Sequence, residues 1–349
     1  MNSQTGTVLL GLSANAEINI RTNPDDIREL HRATTDDGVP IIKRIIPASH
    51  MRFSVAGSSV NVARALIRAG HRDVKLLGTV GDDHWGHLIL QTLQKAGIDF
   101  TSLLARNTTS VSVNQVTTGA SPALLSSNVK GEYQSHLMPT LADRVHAEVI
   151  KTRPSYRVAT GVQIADGPII EGMFRPANAS DGAPIDSTNI INLGATLLQP
   201  SQLGVSVEQE RVRWLGKILK LANLLALNYD ESAELLASLS ISRMDELRDR
   251  IGNANLHILV TRGPDGLSYH RPGEEKIQLE AFPAAELVDP TGAGDCLLGN
   301  YIARLIAGDS LHKALTFGIA ASALSVGKMG GDCSPTMNET MGFISRSKR

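Results

Sequence analysis

Asp289-Pro290-Thr291-Gly292-Ala293-Gly294-Asp295 is the stretch on which the reading of this chain turns. It follows the apolar pair Leu287-Val288, read as a strand end, and precedes Leu297, Leu298, Tyr301, Leu305 and Ile306 at helical spacing. A glycine-rich turn at a helix start points several backbone N–H groups outward, where they can hold an anion. Gly292 and Gly294 lack side chains, so a phosphate can approach the main chain. Such a cradle, lined by Gly292, Ala293 and Gly294, stabilises charge on a phosphoryl group in transit. Asp295 stands beside it, where a carboxylate can take the proton of an attacking hydroxyl. A bare turn with an aspartate would need nothing more than a tight bend and a helix cap. The full string, set between strand and helix, points to an anion site.

Outward from this motif the chain alternates. Segments 7–12, 74–80, 157–160, 190–193, 223–228, 257–261 and 267–270 are short and apolar and read as strands. Segments 57–69, 85–96, 208–221 and 232–239 have helical spacing; the first places Val60, Ala63, Leu66 and Ile67 on one face. Alternation of this kind predicts parallel strands with helices on both faces, a Rossmann-like three-layer α/β/α sandwich in a single domain spanning 1–349. Segments near 15–20, 40–56 and 108–137 break the rhythm. They are β-rich and predict a small second sheet laid over one edge as a lid. Within them, 40–46 and 51–55 flank Pro47 as an edge ribbon. Segments 111–117 and 133–137 read as strands around a turn at 128–131. The stretch 21–38 is polar, with Pro24 and several acids, and 174–189 reads as mostly loop.

Composition sets the outer bounds. Hydrophobic residues make up 42% and charged residues 20% of 349, which suits a globular chain with a sizeable core. The formal net charge of -1 argues against nucleic acid as a partner. There is no run of 18 apolar residues, so no membrane span is expected. The polar start predicts no secretory signal. Cys296 and Cys333 form no disulfide framework or zinc pattern and are expected to stay reduced in the cytoplasm. Cys296 reads as core packing.

The 289–295 string resembles the C-terminal motif of the PfkB (ribokinase-like) family of carbohydrate and nucleoside kinases. In that family the final Asp is the catalytic base and the turn is the anion hole. The resemblance implies those roles for Asp295 and for Gly292, Ala293 and Gly294, and a ribokinase-like fold. Three further segments keep the family's order. Gly57-Ser58-Ser59-Val60-Asn61-Val62-Ala63 is similar to its glycine-rich substrate motif, implying acceptor contacts from Gly57, Ser58 and Asn61. Asn228-Tyr229-Asp230-Glu231 is similar to its Asn-x-x-Glu motif beside the nucleotide phosphates and magnesium. Thr261-Arg262-Gly263-Pro264-Asp265-Gly266 looks like its nucleotide-bordering turn, implying Thr261, Gly263 and Gly266. The stretch from Gly78 to Asp83 and Gly86 also matches, and the resemblance covers about residues 7–336.

The same residues have a physical reading. Asn228 closes a predicted strand, and ligands of open parallel sheets bind at the carboxyl ends. Its amide can donate to a phosphate. Glu231 suits an outer ligand of magnesium, which keeps several waters. The plainer reading is an Asn turn with an acid in the first helical turn. Asn61 likewise could simply be bonded near a helix start.

The chain departs from the family in places. Asn15 and Glu17 stand where it commonly has Asn-x-Asp, whose acid holds sugar hydroxyls; Glu17 is one methylene longer. Ala56 and Ser58 replace a glycine and a lysine of ribokinase proper, which argues against ribose. Gln163 falls near a substrate-contacting acid of ribokinase. Family members often hold a monovalent cation beside the anion hole. Asp289, the Thr291 carbonyl and the loop around Gly330 match its positions, so K+ joins ATP and Mg2+ as an expected cofactor.

The expected activity is transfer of the γ-phosphate of ATP to a hydroxyl of a small sugar-like acceptor. A nucleoside kinase is the first alternative, with Phe53 and Phe100 as candidate walls for a base. An inactive PfkB-like binding or scaffold protein is the second; intact Asp295 argues against it. The resemblance also implies a homodimer paired through the lid strands.

Overall fold

The structure is a computed structural model that describes residues 6–12, 15–22, 28–34, 40–45, 51–78, 80–102, 108–117, 123–129, 140–161, 167–177, 185–194 and 205–347. The chain opens with β1 (Val8–Leu12) and leaves it for β2 (Asn15–Thr22), β3 (Arg28–Thr34), β4 (Pro40–Ile45) and β5 (Met51–Ala56). Helix α1 (Ser58–Arg68) leads to β6 (Val74–Gly78), α2 (His84–Lys95) and β7 (Asp99–Ser102). A second excursion makes β8 (Val111–Thr117) and β9 (Ala123–Val129). Then follow α3 (Leu141–Thr152), β10 (Tyr156–Thr160), α4 (Gly167–Phe174), β11 (Thr188–Asn192), α5 (Val205–Leu219) and β12 (Leu224–Asn228). The chain continues through α6 (Tyr229–Leu239), α7 (Leu247–Ile251), β13 (His257–Thr261), β14 (Leu267–His270) and β15 (Ile277–Leu279). Helices α8 (Ala293–Ile306), α9 (Leu311–Ser325) and α10 (Met337–Ser347) complete it.

Nine strands form the main sheet in the order β15-β14-β13-β12-β11-β10-β1-β6-β7. From β13 to β7 every pairing is parallel, and only β14 and β15 run antiparallel at one edge. The two-residue period of a strand sends alternate side chains to opposite faces. Val8 and Leu10 join a core with Val60 and Leu66 of α1, Ile89 of α2, Leu298 of α8 and Leu315 of α9. Leu9 joins the other core, with Val145 of α3, Ile169 of α4, Leu215 of α5, Leu235 of α6 and Leu247 of α7. Strands buried on both faces explain the unbroken apolar runs. Each fully buried Leu or Ile contributes on the order of 1.5–3 kcal/mol. The result is the expected three-layer sandwich.

The chain reverses direction across the sheet at β1, whose neighbours are β10 on one side and β6 on the other. Such a switch point leaves a crevice at the carboxyl ends of the strands.

Strands β5, β2, β8 and β9 form a separate four-stranded sheet in that order. It leaves the main sheet at the carboxyl ends of β1 and β7. Residues 40–45 are not in it: β4 pairs antiparallel with β3 as a two-stranded ribbon. So 40–45 and 51–56 do not pair with each other across Pro47. The partner of β4 lies in the polar stretch 21–38, where charges on both faces of 28–34 hide a strand from periodicity. Asn128 lies inside β9, paired with Ser112, and not in a turn. Residues 133–137 lie outside the described ones. Leu287 and Val288 carry no strand. Their neighbourhood is held by Val288 N–H and Asp289 N–H, which both donate to the Val326 carbonyl.

Candidate active site

Helix α8 begins at Ala293 with Gly292 as its N-cap, at φ 74 and ψ 5. Few side chains tolerate that conformation. A Cβ on Gly292 would also stand 2.6 Å from the Gly331 carbonyl oxygen. Gly294 is different. Its φ is not positive, and beyond its own helix no described atom lies within 4 Å of where its Cβ would be. The two glycines therefore have separate causes: Gly292 makes the bend, and Gly294 leaves open ground over the helix N-terminus. Unpaired N–H groups and the helix dipole make that ground attractive to an anion.

Asp295, in the first turn of α8, is 7% exposed. Asn61 Nδ2 donates to its Oδ2 at 3.0 Å, and Asn192 Nδ2 to its Oδ1 at 3.3 Å. Asn61 comes from α1 and Asn192 from the last position of β11. Helices α1 and α8 can approach closely because Gly299 faces α1; a Cβ there would lie 2.6 Å from Ala65 Cβ and from the Val62 carbonyl oxygen. Beneath Asp295, Ser59 Oγ donates to the Gly11 carbonyl at 2.6 Å and lies 2.9 Å from Thr160 Oγ1. Polar groups from β1, β10, β11, α1 and α8 thus meet at the crevice.

A loop at residues 329–333 fastens this group. Asp289 is buried, and its carboxylate accepts from Thr291 N–H at 2.9 Å and from Gly330 N–H at 2.8 Å. Gly331 lies against Gly292 on one side and the Asn61 amide on the other. Arg52 of β5 donates to Asp332 at 2.9 Å and to the Met329 carbonyl, and Arg64 of α1 reaches Asp332 at 3.2 Å. The loop therefore ties the four-stranded sheet and α1 to the turn before α8.

The expected nucleotide side lies at the carboxyl ends of β12 and β13, where Asn228 and Thr261 are register partners. Asn228 caps α6: its Oδ1 accepts from Glu231 N–H at 2.8 Å, and Glu231 Oε2 accepts from Asn228 N–H at 2.9 Å. The motif is thus a reciprocal capping box, which leaves the Asn228 amide as its remaining donor. Burial pushes the Glu231 carboxyl above its ordinary range, against the opposing pull of the Asn228 N–H bond. Gly263, at φ 55, faces open ground. Gly266 does not: a Cβ would stand 2.0 Å from the Leu279 carbonyl oxygen, so packing alone accounts for that glycine.

The sequence matches the description "pfkB family carbohydrate kinase" over residues 31–152 and 194–337. The chain belongs to the pfkB family. ATP-dependent phosphoryl transfer to a sugar-like acceptor is the activity class this membership supports. A Halopiger xanaduensis protein named ATP-dependent ribose-1-phosphate kinase is 28% identical over 302 residues, covering 84% of this chain and 88% of its own length. Among solved structures, Arabidopsis thaliana ribokinase complexed with ribose and ATP aligns with a TM-score of 0.64 at 16% identity, over 97% of this chain and 99% of that one. A Methanocaldococcus jannaschii nucleoside kinase of the ribokinase family aligns at 0.66 and 16%, over 97% and 98%. These likenesses show the ribokinase fold.

The sequence-expected residues of this pfkB kinase fall into four groups, with Gln163 apart from them. Asp295, Gly292, Ala293, Gly294, Asn61, Asp289, Thr291 and Gly330 come together. Gly57, at φ 107, opens α1, and Ser58 is its first residue. Asn228, Glu231, Thr261, Gly263 and Gly266 stand on the neighbouring strand ends. Asn15 and Glu17 lie on β2, where they pair in register with Ala56 and Ser54. Gln163 lies outside the described residues. Phe100 is half-buried and packs against one of the two cores, while Phe53 stacks on Trp85 with ring centroids 5.1 Å apart. Cys296 is buried, with its thiol pushed up to about 11 by burial, as a core residue should be. Sequence reading missed Asn192, Ser59 and Thr160. A polar residue ending an apolar strand was the available signal for Asn192 and Thr160. No helix among the described residues is long and apolar enough to cross a membrane.

Proposed function

We propose that this pfkB-family kinase moves the γ-phosphate of ATP to a hydroxyl of a small sugar-like acceptor, with Asp295 as general base. One observation carries the reading: a buried carboxylate bracketed by two amides stands one residue past a glycine that leaves the helix N-terminus open. Asp295 takes the acceptor proton as the hydroxyl attacks in line. Amides of Gly292, Gly294 and Asp295 hold the charge that develops on the transferred group; the Ala293 N–H instead closes the turn by donating to the Pro290 carbonyl at 3.2 Å. The Asn228 amide and the strand ends around Thr261 hold the nucleotide. The four-stranded sheet serves as the lid, bringing β2, with Asn15 and Glu17, over the acceptor and excluding water.

Mg2+ would neutralise charge on the β- and γ-phosphates when bound. Among the described residues no cluster of three or more acidic, His or Cys side chains could hold a metal alone. The ion would rest largely on phosphate oxygens and water, with Glu231 facing that water. Glu231→Gln tests this, because glutamine also completes a capping box. The expected result is an unchanged Tm with kcat down about tenfold and a raised Mg2+ requirement. Unchanged Mg2+ dependence would leave Glu231 a capping residue only.

Asp289 fits a monovalent cation. It is a buried carboxylate without a cationic side chain within ion-pair distance among the described residues, although Arg52 acts on it from farther away, and Thr291 Oγ1 beside it is buried without a hydrogen-bond partner. Activity in K+ is expected to exceed activity in a large organic cation severalfold at equal ionic strength. Equal rates in the two salts would dismiss the ion and leave the kinase reading standing.

ATP consumption measured across free sugars, ribose 1-phosphate and nucleosides tests the whole reading. Turnover with a sugar-like acceptor is the expected result. Turnover with nucleosides alone would assign the acceptor to that class. Full ATP binding without any acceptor-dependent turnover would favour the binding-protein alternative.

A further inference from the structure

Asn192 belongs to none of the motifs that marked the site, yet its amide reaches the carboxylate proposed above as the base. We infer that Asn192 is a positioning residue for Asp295: it sets the direction of the carboxylate and helps to keep it ionised at neutral pH. The inference rests on the reading of Asp295 as the base.

The backbone of Asn192 has little freedom. It pairs with Thr160 of β10 and Ala226 of β12, and its carbonyl accepts from Gly161 N–H at 3.1 Å. A residue anchored on both sides in mid-sheet presents its side chain from a fixed point. That side chain is half-buried at the carboxyl end of the strand, where the ladder is already complete and a Thr or Leu would serve the sheet equally well. The amide group must turn its NH2 to Asp295, since its own oxygen would be repelled by the carboxylate.

Asn61 binds one carboxylate oxygen and Asn192 the other. Two donors arriving from different elements fix the rotation of the carboxylate about its Cβ–Cγ bond. Each oxygen retains a further lone pair for an acceptor hydroxyl. The two N–H groups also bond to the ionised form, which opposes the effect of burial on Asp295. Neither amide carries charge, so they hold the base without pairing it off. Among the described residues, these charged and titratable groups belong to the elements that meet at Asp295. Asp289 and Cys296 lie on its own turn and helix, Arg64 on α1 and Arg52 on β5. Asp332 and Cys333 lie on the 329–333 loop. Both arginines are engaged with Asp332, and β10 and β11 present only the neutral Thr160 and Asn192 at this end.

The test is the pH dependence of kcat for Asn192→Asp and Asn192→Ala, with Tm and the KM for ATP measured alongside. Asn192→Asp sets a second carboxylate against the first. The acid limb should move up by about one pH unit or more, a roughly tenfold loss below it, with recovery at high pH and little change in the KM for ATP. Asn192→Ala should move the limb less, in the same direction, and lower plateau kcat by about tenfold as the carboxylate loosens. If Asn192→Asp does not fold, Asn192→Ala carries the test alone. A limb left at its wild-type position, with kcat falling only as Tm falls, would overturn the inference. Asp295→Asn run in the same assay separates the two readings. Survival of the wild-type limb in that variant would remove Asp295 as the base and this inference with it. Its disappearance, beside an unmoved limb in the Asn192 variants, would sink only the role of Asn192.

Discussion

Asp295→Asn is expected to lower kcat by about 100- to 10,000-fold while ATP affinity stays within about twofold, the usual span for loss of a general base. The amide keeps the size of the carboxylate but cannot accept the acceptor proton. It also turns an NH2 toward either Asn61 or Asn192, each of which now donates to the carboxylate. One of those bonds must break, at about 1 kcal/mol. Loss of a buried charge offsets part of that cost, so Tm should move by only a few degrees. ATP binding should change little because the proposed contacts of Asn228 and Thr261 at the ends of β12 and β13 do not use this pair of amides. Single-turnover phosphoryl transfer and ATP titration separate the two quantities. A variant that kept more than half its kcat would show that another group takes the proton.

The main sheet was legible because its strands are buried on both faces. Runs such as 257–261 and 223–228 show no competing pattern, and each lies near a helical stretch. The helices α3 and α4 were not read, although Leu141, Val145 and Val149 sit at helical spacing and are buried. In α4 nearly every residue is buried, so no polar face marks the period. Strand β3 was invisible for the opposite reason, carrying arginine, glutamate and histidine with no apolar alternation. At the site, everything local in sequence was readable: the 289–295 turn, the Asn228–Glu231 pair, the start of α1. What was not readable is contact between distant segments. Asn192 and Asp295 are far apart in the chain and meet only because β11 ends where α8 begins, across the crevice. The loop around Gly330 was legible as a turn, but its grip on Arg52 of β5 depends on the fold.

At Asn228 and Glu231 the capping box is compatible with the proposed nucleotide contact. The capping box uses the Asn228 carbonyl oxygen and one Glu231 oxygen. That arrangement orients the remaining amide donor and keeps the acid in place at the strand end. A cap of this kind is worth about 1 kcal/mol, and it fixes both side chains before any nucleotide arrives. Preorganisation of that sort lowers the cost of holding a substrate in a reactive geometry.

Gly294→Val should abolish transfer and spare the fold, while Gly292→Val should damage both. At Gly294 no described atom beyond its own helix lies within 4 Å of a new Cβ and φ is not positive. Valine is also a better helix former than glycine by a few tenths of a kcal/mol, so Tm should hold or rise slightly. The branched side chain would fill the ground over the helix N-terminus and keep a phosphate from the amides. Loss of one such donor typically costs about 100- to 1,000-fold in kcat, and exclusion of the phosphate should cost at least that. Gly292 offers no such separation. Its φ of 74 resists a β-branched residue, and its Cβ would collide with the Gly331 carbonyl oxygen. Displacing Gly331 disturbs the Asn61 amide that it touches, and through it Asp295. Melting curves and kcat for the two variants decide the matter. Wild-type turnover in Gly294→Val would remove the anion hole from this site. An equal fall in Tm for both would mean that Gly294 is a packing glycine like its neighbour.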